Sequence, residues 1–129
     1  MIQKHPIRPQ RIRKVPGQFS WVDHRLVRDR FIESISHPGA ALYLFLVTVA
    51  DSKGLSYYSE ASLMTRLAMD PSTLADARKS LIAAGLIVYE KPIYQVLSLE
   101  PAPEAPKRAP LDQPLSVAQI FKQMMGGSN

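Results

Sequence analysis

Cysteine is missing from all 129 residues of the chain. Disulfide bonds, thiolate metal sites and cysteine nucleophiles are therefore excluded, and the absence is typical of proteins in a reducing compartment. Histidine is also scarce: His5, His24 and His37 are scattered and lack the spacing of metal ligands. The sequence therefore predicts no metal site and no cofactor.

Long apolar runs are absent too. The longest one, residues 40–50, falls well short of the roughly 20 residues that a membrane-spanning helix needs, and it predicts a buried helix instead. The basic N-terminal segment contains prolines and no apolar core, so it does not have the pattern of a secretory signal. We expect a cytoplasmic protein with no membrane contact.

Motifs of the common enzyme classes are missing as well. The chain has no glycine-rich phosphate loop and no HExxH pair, and its Ser, His and Asp residues show no order suited to nucleophilic catalysis. Its acidic residues are dispersed and mostly adjoin basic ones. We expect a protein that is not an enzyme.

The charge that is present is mainly positive. A net charge of +5 suits an anionic partner, most simply nucleic acid. Residues 1–17 have three prolines and no acidic residue, so they cannot form a core and are predicted to be a basic arm. The arm could bind DNA, or it could be an unstructured solubilising tail. Its basic residues are Lys4, Arg8, Arg11, Arg13 and Lys14.

Residues 18–100 have the patterns of one folded domain, which begins with two helices. Apolar residues recur at helical spacing over residues 19–36 and predict the first helix. The second helix follows a cap at Ser36 or His37, with Pro38 in its first helical position, and is apolar enough to lie in the middle of the domain. Trp21 is expected in the core or at the domain edge.

Residues typical of helix ends and helix starts predict two further helices that are separated by a short turn. The turn sequence "DSKG" and the strand-forming run "LSYY" precede them. Ser59 then caps a helix that is predicted to end at Met69. Asp70 caps the next helix, which begins at Pro71 and is ended by Gly85.

Two strand-forming runs after Gly85, "LIVYE" and "IYQVLSLE", predict a hairpin with Lys91 and Pro92 in its turn. Four tyrosines cluster around this predicted sheet. They could stack on single-stranded bases, although tyrosines in strands more often pack within the sheet. They are Tyr57, Tyr58, Tyr89 and Tyr94.

The C-terminal part of the chain is predicted to be a tether ending in a docking helix. Residues 101–114 hold five prolines and predict an extended linker. Residues 115–126 have capping-box spacing and an apolar stripe, which favour a short amphipathic helix that orders when docked in a groove. The groove could belong to the same chain, to a second copy or to another protein. The expected contact residues are Leu115, Val117, Ile120, Phe121 and Met124.

The predicted elements follow the order helix, helix, strand, helix, helix, hairpin. The most specific part of this pattern is residues 59–87, "SEASLMTRLAMDPSTLADARKSLIAAGLI". This stretch resembles the winged helix-turn-helix modules of bacterial transcription regulators and of plasmid or phage replication initiators. The resemblance spans about residues 20–99. It implies an α+β, mostly helical fold with a short hairpin wing at residues 89–93, flanked by the basic arm and the proline-rich tail. It also implies double-stranded DNA as partner, in transcription control or in replication of a mobile element.

Helical geometry divides the second helix of this motif, residues 71–84, into two faces. With Leu74, Ala77 and Leu81 directed inward, Arg78 lies at the core boundary and small polar side chains face outward. The resemblance places this outer face in the major groove, where the N-terminal residues read bases and Lys79 holds a phosphate. The expected DNA contacts are Arg8, Arg11, Arg13, Lys14, Arg25, Arg28, Arg30, Ser72, Thr73, Ala75, Asp76, Lys79 and Lys91.

Two alternatives remain open for this face. It lacks the exposed arginine that most often contacts guanine, and Asp76 repels phosphate, so the face could simply be solvated. The same fold could also serve as a protein-interaction adaptor that does not bind DNA sequence-specifically. Salt-dependent binding to duplex DNA separates the adaptor from the DNA-binding protein.

Overall fold

A computed structural model describes residues 2–99 of the chain. Within these residues the fold is α+β, with four α-helices, more helix than strand, and one three-stranded antiparallel sheet, as expected from the sequence. The predicted linker and terminal helix lie outside the described residues. The elements are α1 (Arg25–Arg28), α2 (His37–Val49), β1 (Leu55–Tyr57), α3 (Glu60–Leu67), α4 (Pro71–Ala83), β2 (Ile87–Glu90) and β3 (Ile93–Val96).

The first predicted helix is much shorter than expected. Only α1 is α-helical, and a separate 3₁₀ turn, Phe31–Ser34, follows it. Arg30 stands between them with φ 68°, a left-handed conformation that ends the helix. The prediction of one continuous helix is therefore wrong. Of the two positions expected for Trp21, the core is excluded, because 73% of the residue is exposed, and the domain edge remains.

Helix α2 begins at the predicted cap. The Ser36 hydroxyl accepts a hydrogen bond from the Gly39 amide at 3.0 Å, which satisfies one of the free donors of the first turn. The helix starts at His37, so Pro38 takes the second helical position rather than the first. Leu42 and Leu46 are completely buried on its inner side.

Helices α2 and α4 meet at Gly39. A Cβ on this residue would lie 3.1 Å from the Ser36 Oγ and 3.2 Å from the Ser80 Oγ, so a side chain there would force these two hydroxyls to shift by a few tenths of an ångström. The close approach lets the Ser36 amide donate a hydrogen bond to the Ser80 Oγ at 2.9 Å. The start of α2 is thereby attached to the C-terminal half of α4.

Helices α3 and α4 have the caps that the sequence predicts. The Ser59 hydroxyl accepts from the Ser62 amide at 3.1 Å, and the Asp70 carboxylate accepts from the Thr73 amide at 2.8 Å. Helix α3 ends at Leu67, two residues before the predicted Met69, because Ala68 adopts a left-handed conformation with φ 54°. Residues 68–70 form the turn between the helices.

The sheet has the strand order β1-β3-β2, so β1 pairs with the strand that is farthest from it in sequence. The predicted hairpin of β2 and β3 is confirmed. At the start of β1, Gly54 has φ 84°, and its carbonyl accepts a hydrogen bond from the Val96 amide at 2.8 Å. A Cβ on Gly54 would lie only 2.5 Å from the Val96 carbonyl oxygen, so glycine is required there.

The core lies between the inner face of the sheet and helices α2, α3 and α4. Each of these elements contributes at least one side chain with 1% exposure or less. No helix within residues 2–99 is long and apolar enough to span a membrane. The most deeply buried apolar residues are Leu42, Leu46, Leu63, Leu74, Ala77, Leu81, Leu86, Ile87 and Tyr94.

Candidate nucleic-acid interface

Helix α4 has one buried and one exposed face, as helical geometry predicts. Leu74, Ala77 and Leu81 have no exposed surface. The other face presents a hydroxyl, a carboxylate and an ammonium group to solvent within two turns of helix. These groups belong to Ser72, Asp76 and Lys79, all of which are exposed.

The N-terminus of α4 is stabilised by Asp70. The Thr73 amide and the hydroxyls of Thr73 and Ser72 donate to its carboxylate, and these hydrogen bonds lower the pKa of Asp70 below its usual value. The charge also lies at the positive end of the helix dipole. The Ser72 hydroxyl donates to Asp70 at 3.2 Å, and its exposed oxygen keeps lone pairs that can accept hydrogen bonds.

The flanks of the exposed face are partly covered. Thr73 and Ala75 are half-buried, so only part of each side chain can touch a ligand. Ser80 flanks the face in sequence, but its hydroxyl binds the Ser36 amide and faces α2. The exposed face is therefore narrow and is centred on Ser72, Asp76 and Lys79.

Arg78 connects α4 to both α3 and the sheet, which agrees with its expected position at the core boundary. Its Nε donates to the Tyr94 hydroxyl at 3.0 Å, its guanidinium forms an ion pair with Glu60, and the same group lies 4.6 Å from the centre of the Tyr89 ring. Burial acts to lower the pKa of Arg78, but the hydrogen bonds and charges of Tyr94 and Glu60 raise it above its usual value. Arg78 is therefore held charged in a structural role.

Three of the four tyrosines are engaged in ring contacts. Tyr89 and Tyr94 stack with 4.3 Å between ring centres, and Tyr58 packs edge-on against Phe45. Burial raises the pKa of the Tyr94 hydroxyl. Tyr57 differs, since 69% of its side chain is exposed on the outer face of the sheet.

The three arginines near α1 that were predicted to contact DNA all lie beside acidic partners. Arg25 forms an ion pair with Asp23 at 2.6 Å, and its hydrogen bonds are the main reason that the pKa of Asp23 is lowered to about 2. Arg28 pairs with Asp29 at 3.5 Å and Arg30 with Glu33 at 3.0 Å. Each cation thus has an acidic partner within ion-pair distance, a feature that helical spacing alone did not indicate.

The remaining predicted contacts lie in the arm and in the hairpin. Residues 2–17 are exposed throughout, including Arg8, Arg11, Arg13 and Lys14, and Lys91 is exposed in the turn between β2 and β3. Arg66, exposed in the last turn of α3, is a further cation that the sequence analysis did not select. A basic residue at a helix C-terminus is already explained by the helix dipole, so its position carries no separate signal of DNA contact.

The predicted partner-binding residues Leu115, Val117, Ile120, Phe121 and Met124 lie outside the described residues. Residues 2–99 contain no group of three or more acidic or histidine side chains that could hold a metal ion. The exposed face of α4 offers hydrogen-bond donors and acceptors to solvent.

Comparisons of the chain with protein-family models, with characterised proteins and with solved structures find no match. The geometry of α3, α4 and the hairpin is therefore the basis for assigning a function.

Proposed function

We propose that this chain is a small double-stranded DNA-binding protein of the winged helix-turn-helix type. The observation that carries the proposal is the pair α3 and α4, joined by the turn at residues 68–70, with one face of α4 buried and the other free. A helix-turn-helix places its second helix in the major groove, with N-terminal residues at the base edges. The hairpin that follows α4, with Lys91 exposed in its turn, is in the position of a wing.

The side chains of α4 fit such a role in a limited way. Ser72 can accept from a base, the methyl group of Ala75 can contact thymine, and Asp76 can accept from the amino group of cytosine. Lys79 lies one turn farther along and can hold a phosphate. The face therefore supports selective contacts but little net attraction, since Asp76 and Lys79 cancel in charge.

The setting that fits these features is transcription control or the replication of a plasmid, phage or other mobile element. The C-terminal segment 115–126 would then recruit a partner protein or a second copy. This part of the proposal rests on the sequence pattern of that segment.

Binding to a pool of random duplexes at low salt, followed by sequencing of the bound fraction, tests the proposal. Lys79→Ala should weaken binding to all sequences alike and reduce the salt slope by about one unit, because one phosphate contact is lost. Ser72→Ala and Asp76→Ala should change the base preference instead. Lys53→Ala, an exposed lysine in the turn before β1, is the matched control and should leave both properties unchanged.

Two results would contradict the proposal. If no duplex binds at low salt, the protein is not a DNA-binding protein. If duplexes bind but the base preference is unchanged in both Ser72→Ala and Asp76→Ala, α4 is not the element that reads bases.

A second candidate function, a protein-interaction adaptor with the same fold, is favoured by the outer face of the sheet. Tyr57, Val88 and Ile93 lie on this face with their side chains substantially exposed. Exposed apolar side chains grouped on one surface are typical of protein contacts. Retention of a protein partner together with absence of duplex binding would support the adaptor.

A further inference from the structure

The distribution of charge along the chain is strongly uneven. Residues 1–17 contain five basic side chains and no acidic one, whereas residues 18–98 contain eight of each. Residues 99–129 contain three of each. The whole net charge of +5 therefore belongs to the arm, and the folded part is electrically neutral.

Local pairing inside the folded part reinforces this neutrality. Four of its eight basic side chains form ion pairs with acidic neighbours: Arg25, Arg28, Arg30 and Arg78. The exposed face of α4 adds one acid and one base. This face therefore carries no net positive charge.

From these two observations we infer that the arm, residues 2–17, supplies the net attraction to DNA, and that the folded part supplies contacts without net attraction. This inference rests on the proposed DNA-binding function. It also replaces the expectation that Arg25, Arg28 and Arg30 contribute to affinity.

The geometry of the arm suits this role. The arm leaves the fold near the end of α2, where the Ser20 hydroxyl donates to the Thr48 carbonyl at 3.0 Å. Residues 2–17 include one 3₁₀ turn, Pro9–Arg11. With about 2 Å per residue in this turn and about 3.1 Å for each of the other thirteen residues when extended, the arm can reach roughly 46 Å, which exceeds one turn of DNA, about 34–36 Å. The arm can therefore follow the duplex beyond the area that α4 covers.

The composition of the arm also argues against a purely solubilising tail. Ile2, Ile7 and Ile12 are all exposed. Solubilising segments are poor in β-branched apolar residues, whereas isoleucine beside arginine is suited to sugar edges and the minor groove.

Salt-dependent binding of the full chain to duplex DNA tests the inference. The slope of log affinity against log salt is about −0.9 for each phosphate that is neutralised. Changing all five basic residues of the arm to glutamine should therefore flatten the slope by about 4.5. Between about 50 and 200 mM salt, the parent should then lose about 500-fold more affinity than this variant.

A matched pair of variants separates the arm from the fold. The first, Arg11→Gln with Arg13→Gln, removes two arm arginines and should flatten the slope by about 1.8. The second, Arg28→Gln with Arg30→Gln, also carries Asp29→Asn and Glu33→Gln so that the folded part stays neutral, and should change the slope by less than about 0.5. Far-UV circular dichroism verifies that both variants fold.

The outcomes distinguish the two proposals. If the parent binds no duplex, both the DNA-binding function and the inference are overturned. If the parent binds with a steep slope that persists in the five-glutamine variant, or if the second matched variant loses as much slope as the first, DNA binding stands and the role of the arm is overturned.

Discussion

The glycine at the start of β1 allows a quantitative test of the fold. Gly54→Ala places a methyl group on a left-handed residue, which costs about 1–2 kcal/mol, of which about 0.4–1 kcal/mol is recovered because the unfolded chain loses freedom. The added Cβ also meets the Val96 carbonyl oxygen at 2.5 Å, so β1 must move away from β3. The hydrogen bond between the Val96 amide and the Gly54 carbonyl is then strained or lost, at a further cost of about 1–3 kcal/mol.

Gly85→Ala is the matched control. Gly85 has φ 75°, close to that of Gly54, but a Cβ there meets no atom within 4 Å. We expect Gly85→Ala to lower the free energy of unfolding by about 0.5–1.5 kcal/mol and Gly54→Ala to lower it by about 2–4 kcal/mol. At roughly 4–8 °C per kcal/mol for a domain of this size, the melting temperatures should differ by about 10 °C.

Urea and thermal unfolding followed by far-UV circular dichroism measure both variants. The helices supply most of the signal, so the assay does not depend on the exposed Trp21. Equal destabilisation by the two substitutions would refute the reasoning, because backbone conformation alone would then explain both.

Four further predictions concern single residues. Arg78→Met should lower the free energy of unfolding by about 2 kcal/mol, because it removes a mostly buried guanidinium together with its charge-assisted hydrogen bond. Glu60→Gln should lower it by less than about 1 kcal/mol, because Glu60 is half-exposed. Equal losses for the two variants in urea unfolding would contradict this prediction. Asp70→Ala should lower the melting temperature at pH 7, and its difference from the parent should vanish in acid. Because the pKa of Asp70 is lowered in the folded state, the stabilisation from its carboxylate is full above the ordinary carboxyl pKa of 3.8 and is lost as the pH falls through the lowered pKa. A difference in melting temperature between the parent and Asp70→Ala that does not change with pH would contradict this prediction. Ser56→Ala should raise the free energy of unfolding by about 1 kcal/mol, since the buried Ser56 hydroxyl has no hydrogen-bond partner, and a loss of stability would show that the hydroxyl is needed. Ala68→Gly should raise the free energy of unfolding by up to about 1 kcal/mol, because glycine adopts the left-handed conformation without strain. A lower free energy of unfolding would show that the greater freedom of glycine in the unfolded chain outweighs the relieved strain.

Features governed by local chemistry were predictable from the sequence. Ser59 and Asp70 cap their helices because a side-chain oxygen can reach an amide three residues ahead, and Gly85 takes the left-handed conformation that glycine favours. The spacing of Leu74 and Leu81 likewise fixed the inner face of α4. None of these features depends on distant residues.

Features that depend on distant residues, or on a single backbone angle, were not predictable. Apolar spacing continues through residues 26–35, but nothing in it reveals that Arg30 adopts a left-handed conformation. Ser80 faces α2 because Gly39 lets the helices approach, a contact between residues far apart in sequence. The acidic neighbours of Arg28 were visible in the sequence, but their pairing geometry was not.

The same contact between Ser36 and Ser80 has a consequence for how the molecule opens. The residue that caps α2 donates its own amide to Ser80, in the C-terminal half of α4, so detachment of α4 leaves this amide without its partner. The two helices should therefore exchange their amide hydrogens as one cooperative unit, with similar protection along both. A ligand that binds the exposed face of α4 would then also slow the exchange of the amide hydrogens in α2, although the ligand does not contact α2.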